Sequence, residues 1–240
     1  MGNEYSRTEL LLGAEAVTRL KHAWVMVFGV GGVGSHCIEA LARGGVGRLT
    51  LVDNDRVSIT NINRQSIAYH STVGRYKTEV MKERILDICP DIRVEHYEMF
   101  VLPDNIETLF EQTGKPDYII DAIDTVSAKI ALAELARREE IPMISSMGTG
   151  NKLHPELFRI ADLSETRVCP LCRVMRKELK SRGILHLKVL YSEEKPVDIS
   201  GRAAEEDAGT RRSVPGSISF VPPAAGLLIA GEVIRSLAGV

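Results

Sequence analysis

The sequence predicts an α/β protein, a doubly wound Rossmann-like fold with a mostly parallel sheet and a C-terminal extension. Three observations carry this expectation. Short apolar runs alternate with helix-spaced segments through the first 150 residues, the pattern of a parallel sheet covered by helices. The first run leads directly into a glycine cluster, Gly29 to Gly34. The second closes on an acidic residue, Asp53, as in nucleotide-binding sheets.

Residues 8 to 22 carry Leu11, Leu12, Ala14, Val17 and Leu20 at helical spacing. Trp24 to Phe28 is a short continuous apolar run, the mark of a strand buried on both faces. Residues 32 to 43 read as a helix, and Arg48 to Val52 as the second strand. A helix is expected over roughly 75 to 88, closed by Pro90, with strands at Val94 to Tyr97 and Tyr118 to Ile120. An Ala-rich helix over 126 to 139 precedes a strand at Met143 to Ser145.

Beyond Gly150 the pattern loosens. Leu157 to Ile160 suggests a strand, Leu171 to Lys180 a basic amphipathic helix, and Pro223 to Leu237 an apolar helix packed on the sheet. Residues 192 to 213 are polar and predict a mobile loop. We therefore divide the chain into a sheet-forming core, 1–150, and an extension, 151–240, that completes the same domain.

Composition restricts the function classes. A net charge of −2 gives no global attraction to nucleic acid, so RNA would need a local basic patch or a dimer. No apolar run approaches the ~18 residues of a membrane span. The N-terminus shows no basic region followed by an apolar core. Four cysteines in 240 residues are too few for a disulfide framework, and the expected compartment is a reducing cytoplasm.

Gly29-Val30-Gly31-Gly32-Val33-Gly34 lies between a strand and a helix, where glycines allow a tight turn and close approach of backbone amides to phosphate. Asp53 is placed to bond a ribose hydroxyl. Alone, this pair fits a dinucleotide-dependent dehydrogenase as well as an ATP enzyme. The next residues separate the two. Asp55, Asn61, Arg64, Gln65 and Lys77 follow, and Asp121-Ala122-Ile123-Asp124 closes a later strand. Together they bring a basic pair and an acidic pair to one sheet edge. Attack at the α-phosphate of ATP needs cations on the phosphates and a magnesium ion held by a carboxylate; hydride transfer needs neither.

These residues carry a family resemblance. Gly29 to Ser35, Asp53 with Asp55, Asn61 to Gln65, Lys77 and the Asp121/Asp124 segment resemble the ThiF/MoeB/HesA superfamily, relatives of ubiquitin-activating enzymes. The resemblance implies that Asp53 holds the ATP ribose, that Asn61, Arg64 and Lys77 contact the phosphates, and that Asp124 holds magnesium. It also implies a homodimer in which Arg7 reaches the partner's site. Ser6 to Leu11, Glu39 to Arg43, Thr60 to Gln65, Asp121 to Thr125, Ser145 to Gly148 and Pro215 to Pro223 are similar to the tRNA threonylcarbamoyladenosine dehydratase group. That group activates a threonylcarbamoyl carboxylate on tRNA with ATP and closes it into a ring. The alternatives are activation of the Gly-Gly tail of a ubiquitin-like sulfur carrier, and a catalytically idle nucleotide-binding partner of a sulfur-transfer system; a sulfurtransferase partner is compatible with the resemblance. Cyclisation within one substrate needs no thiol acceptor, because proximity supplies the nucleophile. Cys37 and Cys89 accordingly read as small core residues.

Cys169-Pro170-Leu171-Cys172 is a single C-x-x-C. Structural zinc sites usually use two such pairs, and no cysteine follows Cys172, so a surface thiol pair or core residues are expected. His154 and His186 could complete a metal site only by coincidence of fold. Arg173, Arg176, Lys177 and Lys180 share helical spacing and form the candidate tRNA-contacting face, with Arg182, Lys188, Arg211 and Arg212 nearby in sequence. A solvated helix face is the competing reading. Aromatic residues are 5% of the chain, so platforms for stacking bases are scarce.

Overall fold

The computed structural model describes residues 2–200 and 215–240. Seven strands form one sheet in the order β3-β2-β1-β4-β5-β7-β6. They are β1 (Trp24–Phe28), β2 (Arg48–Val52), β3 (Arg93–Tyr97), β4 (Tyr118–Asp121), β5 (Met143–Ser146), β6 (Phe158–Asp162) and β7 (Lys188–Ser192). All neighbours are parallel except β6, which runs antiparallel to β7 at the edge. Strand order reverses between β1 and β4, so the crevice beyond their C-terminal ends is the switch point where such sheets bind ligands.

The helices are α1 (Ser6–Leu12), α2 (Ala14–His22), α3 (Gly32–Gly44), α4 (Lys77–Ile88), α5 (Pro103–Thr113), α6 (Val126–Arg138), α7 (Pro170–Lys180) and α8 (Val221–Ala238). They cover both faces and produce two cores. One joins β1, β2 and β4 to α2, α3, α4 and α8; the other joins the opposite face to α5, α6 and α7.

Several expectations change. The single helix over 8 to 22 is two, because Gly13 breaks it at φ +86°. Helix α5 was not anticipated; Ile106, Leu109 and Phe110 are its buried face, and Pro103 fits its first turn. Strand β7 was also missed. It inserts between β5 and β6, and its last residue, Ser192, lies where the mobile loop was expected to begin. Glu194 is buried, its carboxylate accepting the N–H groups of Leu153 and His154. The rest of that loop from 201 onward, with Arg211 and Arg212, lies outside the described residues.

One helix, α8, has 18 residues and a mean hydropathy of 1.3, enough by length and composition to cross a membrane. This corrects the expectation that no segment qualifies: the reading by uninterrupted apolar runs was defeated by Glu232 and Arg235. Ala225, Gly226, Ile229, Ala230 and Val233 are buried in the core that includes α3, which accounts for its apolar composition.

Candidate active site

The site begins where β1 ends. Gly29 has φ +93°, and a Cβ there would lie 2.6 Å from the Ala122 carbonyl oxygen. At Gly34 a Cβ would lie 1.8 Å from the Gly29 carbonyl oxygen. These two glycines let α3 start directly on the end of β1. Gly31 differs: its nearest neighbour would be Gln65 Nε2 at 3.9 Å. The space over Gly31 is open, and it faces the α3 N-terminus. The Ser35 N–H donates to the Gly31 carbonyl at 2.9 Å. The Gly32, Val33 and Gly34 amides precede it and have no intrahelical acceptor, which suits an anion.

Asp53 follows β2 and is held from both sides. Val30 N–H donates to Oδ2 at 2.6 Å and Asp55 N–H to Oδ1 at 2.8 Å. Burial raises its pKa, while the Lys77 charge and the two amides act in the opposite direction. Asp55 is exposed and accepts from Lys77 Nζ at 2.7 Å. Lys77 itself is buried at the start of α4, and its ammonium meets the exposed Asp55 carboxylate at this edge. Asn61 Oδ1 accepts from Ser58 N–H at 3.1 Å and shapes the turn leading to Arg64. Arg64 donates to the Thr60 carbonyl and to Asn63 Oδ1, with no carboxylate partner among the described residues. Its stem lies 3.4 Å from the position of a Gly32 Cβ, and partial burial lowers its pKa. Gly29, Gly31, Gly32, Gly34, Asp53, Asp55, Asn61, Arg64 and Lys77 therefore belong to one edge. Gln65 is buried beside Gly31, and its Oε1 has no hydrogen-bond partner among the described residues.

The expected acidic pair is split. Asp124 is exposed, and its one hydrogen bond among the described residues is a 3.4 Å contact from its neighbour Thr125. Asp121 is fully buried, paired with Lys129 Nζ at 3.0 Å and Ser145 Oγ at 2.5 Å. It cannot face a ligand. Lys129 went unnoticed in the sequence. Its signal was a lone cation at helical spacing with the buried Leu132, Ala133 and Ala136.

Arg7 sits exposed on α1 with no hydrogen bond or ion pair in its own chain among the described residues. Arg176, expected on the RNA face, instead donates to the Leu163 and Thr166 carbonyls and the Thr166 hydroxyl. It closes the turn before α7. Arg173, Lys177 and Lys180 are exposed. Arg182 is taken by Glu134 and Glu178, and Lys188 by Glu232. Cys169 and Cys172 are core residues beside Met175 and Leu179. His154 pairs with Glu156 and His186 with Asp162. Among the described residues no three His, Cys, Asp or Glu side chains gather around a point. A cleft lined by Arg137, Met143, His186 and Lys188 opens at the starts of β5 and β7, the sheet edge opposite the glycine loop.

A glycine loop at a helix N-terminus, beside Asp53, Arg64 and Lys77 at the switch point of a parallel sheet, is the arrangement of a nucleotide-binding α/β protein. The chain belongs to the ThiF family, whose profile matches residues 5–240. It is 43% identical to the tRNA threonylcarbamoyladenosine dehydratase of Bacillus subtilis (strain 168), over 99% of this chain and 95% of that one. Its fold is similar to the crystal structure of the E. coli tRNA N6-threonylcarbamoyladenosine dehydratase in complex with ATP. That match has a TM-score of 0.87 at 34% identity, covering 98% of this chain and 94% of the other. The same enzyme in complex with AMP gives a TM-score of 0.86, with the same identity and coverage.

Proposed function

We propose that the protein catalyses the ATP-dependent dehydration of threonylcarbamoyladenosine in tRNA, a cyclisation that proceeds through an acyl-adenylate. The observation that carries this reading is near-full-length similarity to a dehydratase, in a chain whose nucleotide edge is open above Gly31. The Gln65 Oε1, without a partner among the described residues, and the open space over Gly31 suit a bound nucleotide.

In this reading the amides of Gly31 to Gly34 and the cations of Arg64 and Lys77 take the triphosphate, with Asn61 shaping the turn. Asp53 accepts from the ribose hydroxyls. An oxygen of the substrate carboxylate attacks the α-phosphorus, and the bond to pyrophosphate breaks. The ureido group of the same side chain then attacks the activated acyl carbon, and AMP leaves. Charge accumulates on the phosphates during the first step, so preorganised cations stabilise the transition state more than the ground state.

The donor set suits magnesium, which takes one or two carboxylates and completes its shell with phosphate oxygens and water. Asp124 is an exposed carboxylate beyond the end of β4, with no cation partner among the described residues, and the ion it would hold supplies charge neutralisation on the triphosphate. tRNA docks on Arg173, Lys177 and Lys180. Four free cysteines fit a reducing cytoplasm.

The working unit in this proposal is a homodimer, with Arg7 completing the partner's site. Leu10 and Leu11 on the same helix are 89% and 83% exposed, apolar surface that a second copy would cover. Arg7→Ala and Lys77→Ala, each inactive alone, regain partial activity as a mixed dimer if Arg7 acts in trans. No recovery despite verified subunit exchange removes that role.

The primary test is mass spectrometry of nucleosides from tRNA incubated with the protein, ATP and magnesium. The expected product is lighter than threonylcarbamoyladenosine by one water. Unchanged nucleoside, together with pyrophosphate exchange stimulated by a small protein ending in Gly-Gly, would replace this reading with sulfur-carrier activation.

A further inference from the structure

Lys129 is 1% exposed, and its ammonium is fully used. It donates to Asp121 Oδ2 at 3.0 Å, to Ser145 Oγ at 3.3 Å and to the Ser146 carbonyl at 2.7 Å. Three donors meet three acceptors, the full capacity of a lysine. Asp121 is equally occupied: Ser145 Oγ–H also donates to Oδ2 at 2.5 Å, and the Ile123 N–H donates to Oδ1 at 3.1 Å.

Stability alone is a poor account of such a pair. Desolvating two charges offsets most of their attraction, and apolar replacements of buried pairs are often neutral or stabilising. The location supplies another account. The ammonium ties α6 to the C-terminal ends of β4 and β5, at the edge where the nucleotide site lies. Through Asp121 it also fixes the Ile123 amide, hence the turn Ala122 to Asp124. One end of that turn is the Ala122 carbonyl, packed against Gly29; the other is the exposed Asp124 carboxylate.

We infer that Lys129 is a positioning residue: by locking Asp121 and the Ile123 amide, it sets the turn that presents Asp124 to the metal-bound triphosphate. The inference rests on the proposed role of Asp124 in holding magnesium. Residues of an active site displaced by about 1 Å can cost about 100-fold in rate, so the turn's register matters more than the strength of the pair.

The test combines Lys129→Met, Asp124→Asn and the double variant in one cycle. ATP affinity is measured calorimetrically with magnesium and with EDTA, beside turnover and melting temperature. Lys129→Met is expected to lose most of the magnesium-dependent gain in ATP affinity and about 10- to 100-fold in kcat. Its ATP affinity in EDTA should stay within about threefold of wild type, and the double variant should be no worse than Asp124→Asn alone.

Full retention of the magnesium gain in Lys129→Met, with loss in Asp124→Asn, overturns the inference and leaves the metal reading intact. Multiplying losses in the double variant also overturn it, because Lys129 would then act elsewhere. Retention of the gain in Asp124→Asn sinks the metal reading and the inference with it. If Lys129→Met does not fold, Ser145→Ala loosens the same carboxylate by one hydrogen bond and carries the same comparison.

Discussion

Replacing Gly31 by alanine separates the chemistry of the glycine loop from its architecture. Gly31 has φ −82° and ψ −152°, a backbone that alanine adopts without strain. The added methyl would meet nothing closer than Gln65 Nε2 at 3.9 Å. Stability should therefore hold or rise by about 0.4–1 kcal/mol, through the lower entropy of the unfolded chain. For a chain of this size that is roughly 1–4 °C in melting temperature. The methyl nonetheless occupies the open space above the α3 amides, where the phosphates would lie. Losing one charge-assisted hydrogen bond costs about 1.5–3 kcal/mol, or about 10- to 150-fold in ATP affinity. At Gly34 the outcome inverts. A Cβ there would lie 1.8 Å from the Gly29 carbonyl oxygen, which is backbone and has no rotamer to yield. Gly34→Ala should lose more than about 4 kcal/mol of stability. Calorimetric titration with ATP and thermal melting of both variants provide the measurement. Wild-type ATP affinity in a normally melting Gly31→Ala protein would refute the cradle, and a collapsed Gly31→Ala fold would refute the packing argument.

Replacing Arg173, Lys177 and Lys180 by alanine should weaken tRNA binding and reduce its log–log salt slope by up to about 0.9 per lost phosphate contact. An unaltered slope across a salt titration would exclude this face. Arg176→Ala should instead lower the melting temperature, because the Leu163 and Thr166 carbonyls lose their donor, and it should leave the salt slope unchanged. His36, whose Nε2 lies 3.2 Å from the Arg64 carbonyl, has its pKa pushed below the ordinary 6.5 by burial. The unfolded chain then takes up the proton at higher pH than the folded one. Stability contributed by neutral His36 is present above about 6.5 and is lost as pH falls through its lower folded value. His36→Gln should flatten the decline of melting temperature over that acidic range; an unchanged pH profile would assign the loss to other groups.

The nucleotide edge was legible in the sequence because each part is local. A buried strand, a turn needing glycines and a helix start are contiguous between Trp24 and Gly44, and Asp53 follows the next strand directly. Features that depend on distant partners were not legible. The Lys188–Ser192 strand is short and ends in a polar residue, and it is a strand because β5 and β6 offer ladders on both sides. Helix α5 carried a readable stripe in Ile106, Leu109 and Phe110, yet short apolar spacings of this kind do not separate helix from loop until a surface is there to receive them. The basic stripe on α7 shows the same limit for charge. Arg173 and Arg176 are three residues apart on one helix, yet one is exposed while the other is turned onto the Leu163 and Thr166 carbonyls.

Asp121 and Asp124 carry the point into the site. The family resemblance singles out Asp124 for magnesium, but the residues themselves present two carboxylates three positions apart with no physical reason to treat them differently. The fold treats them oppositely because Asp121 is the last residue of β4, hydrogen-bonded into the sheet beside β1 and β5, while Asp124 lies beyond the turn that follows. A buried carboxylate must find hydrogen bonds or an opposite charge, and here the helix immediately downstream supplies the charge at Lys129, beside the Ser145 hydroxyl. Once that pair exists, the turn between the two aspartates is anchored at its first residue and at the Ile123 amide. The exposed carboxylate is carried at the end of that anchored turn. The buried charge therefore sets the geometry of the exposed one, and a substitution that never touches the nucleotide edge should be felt there.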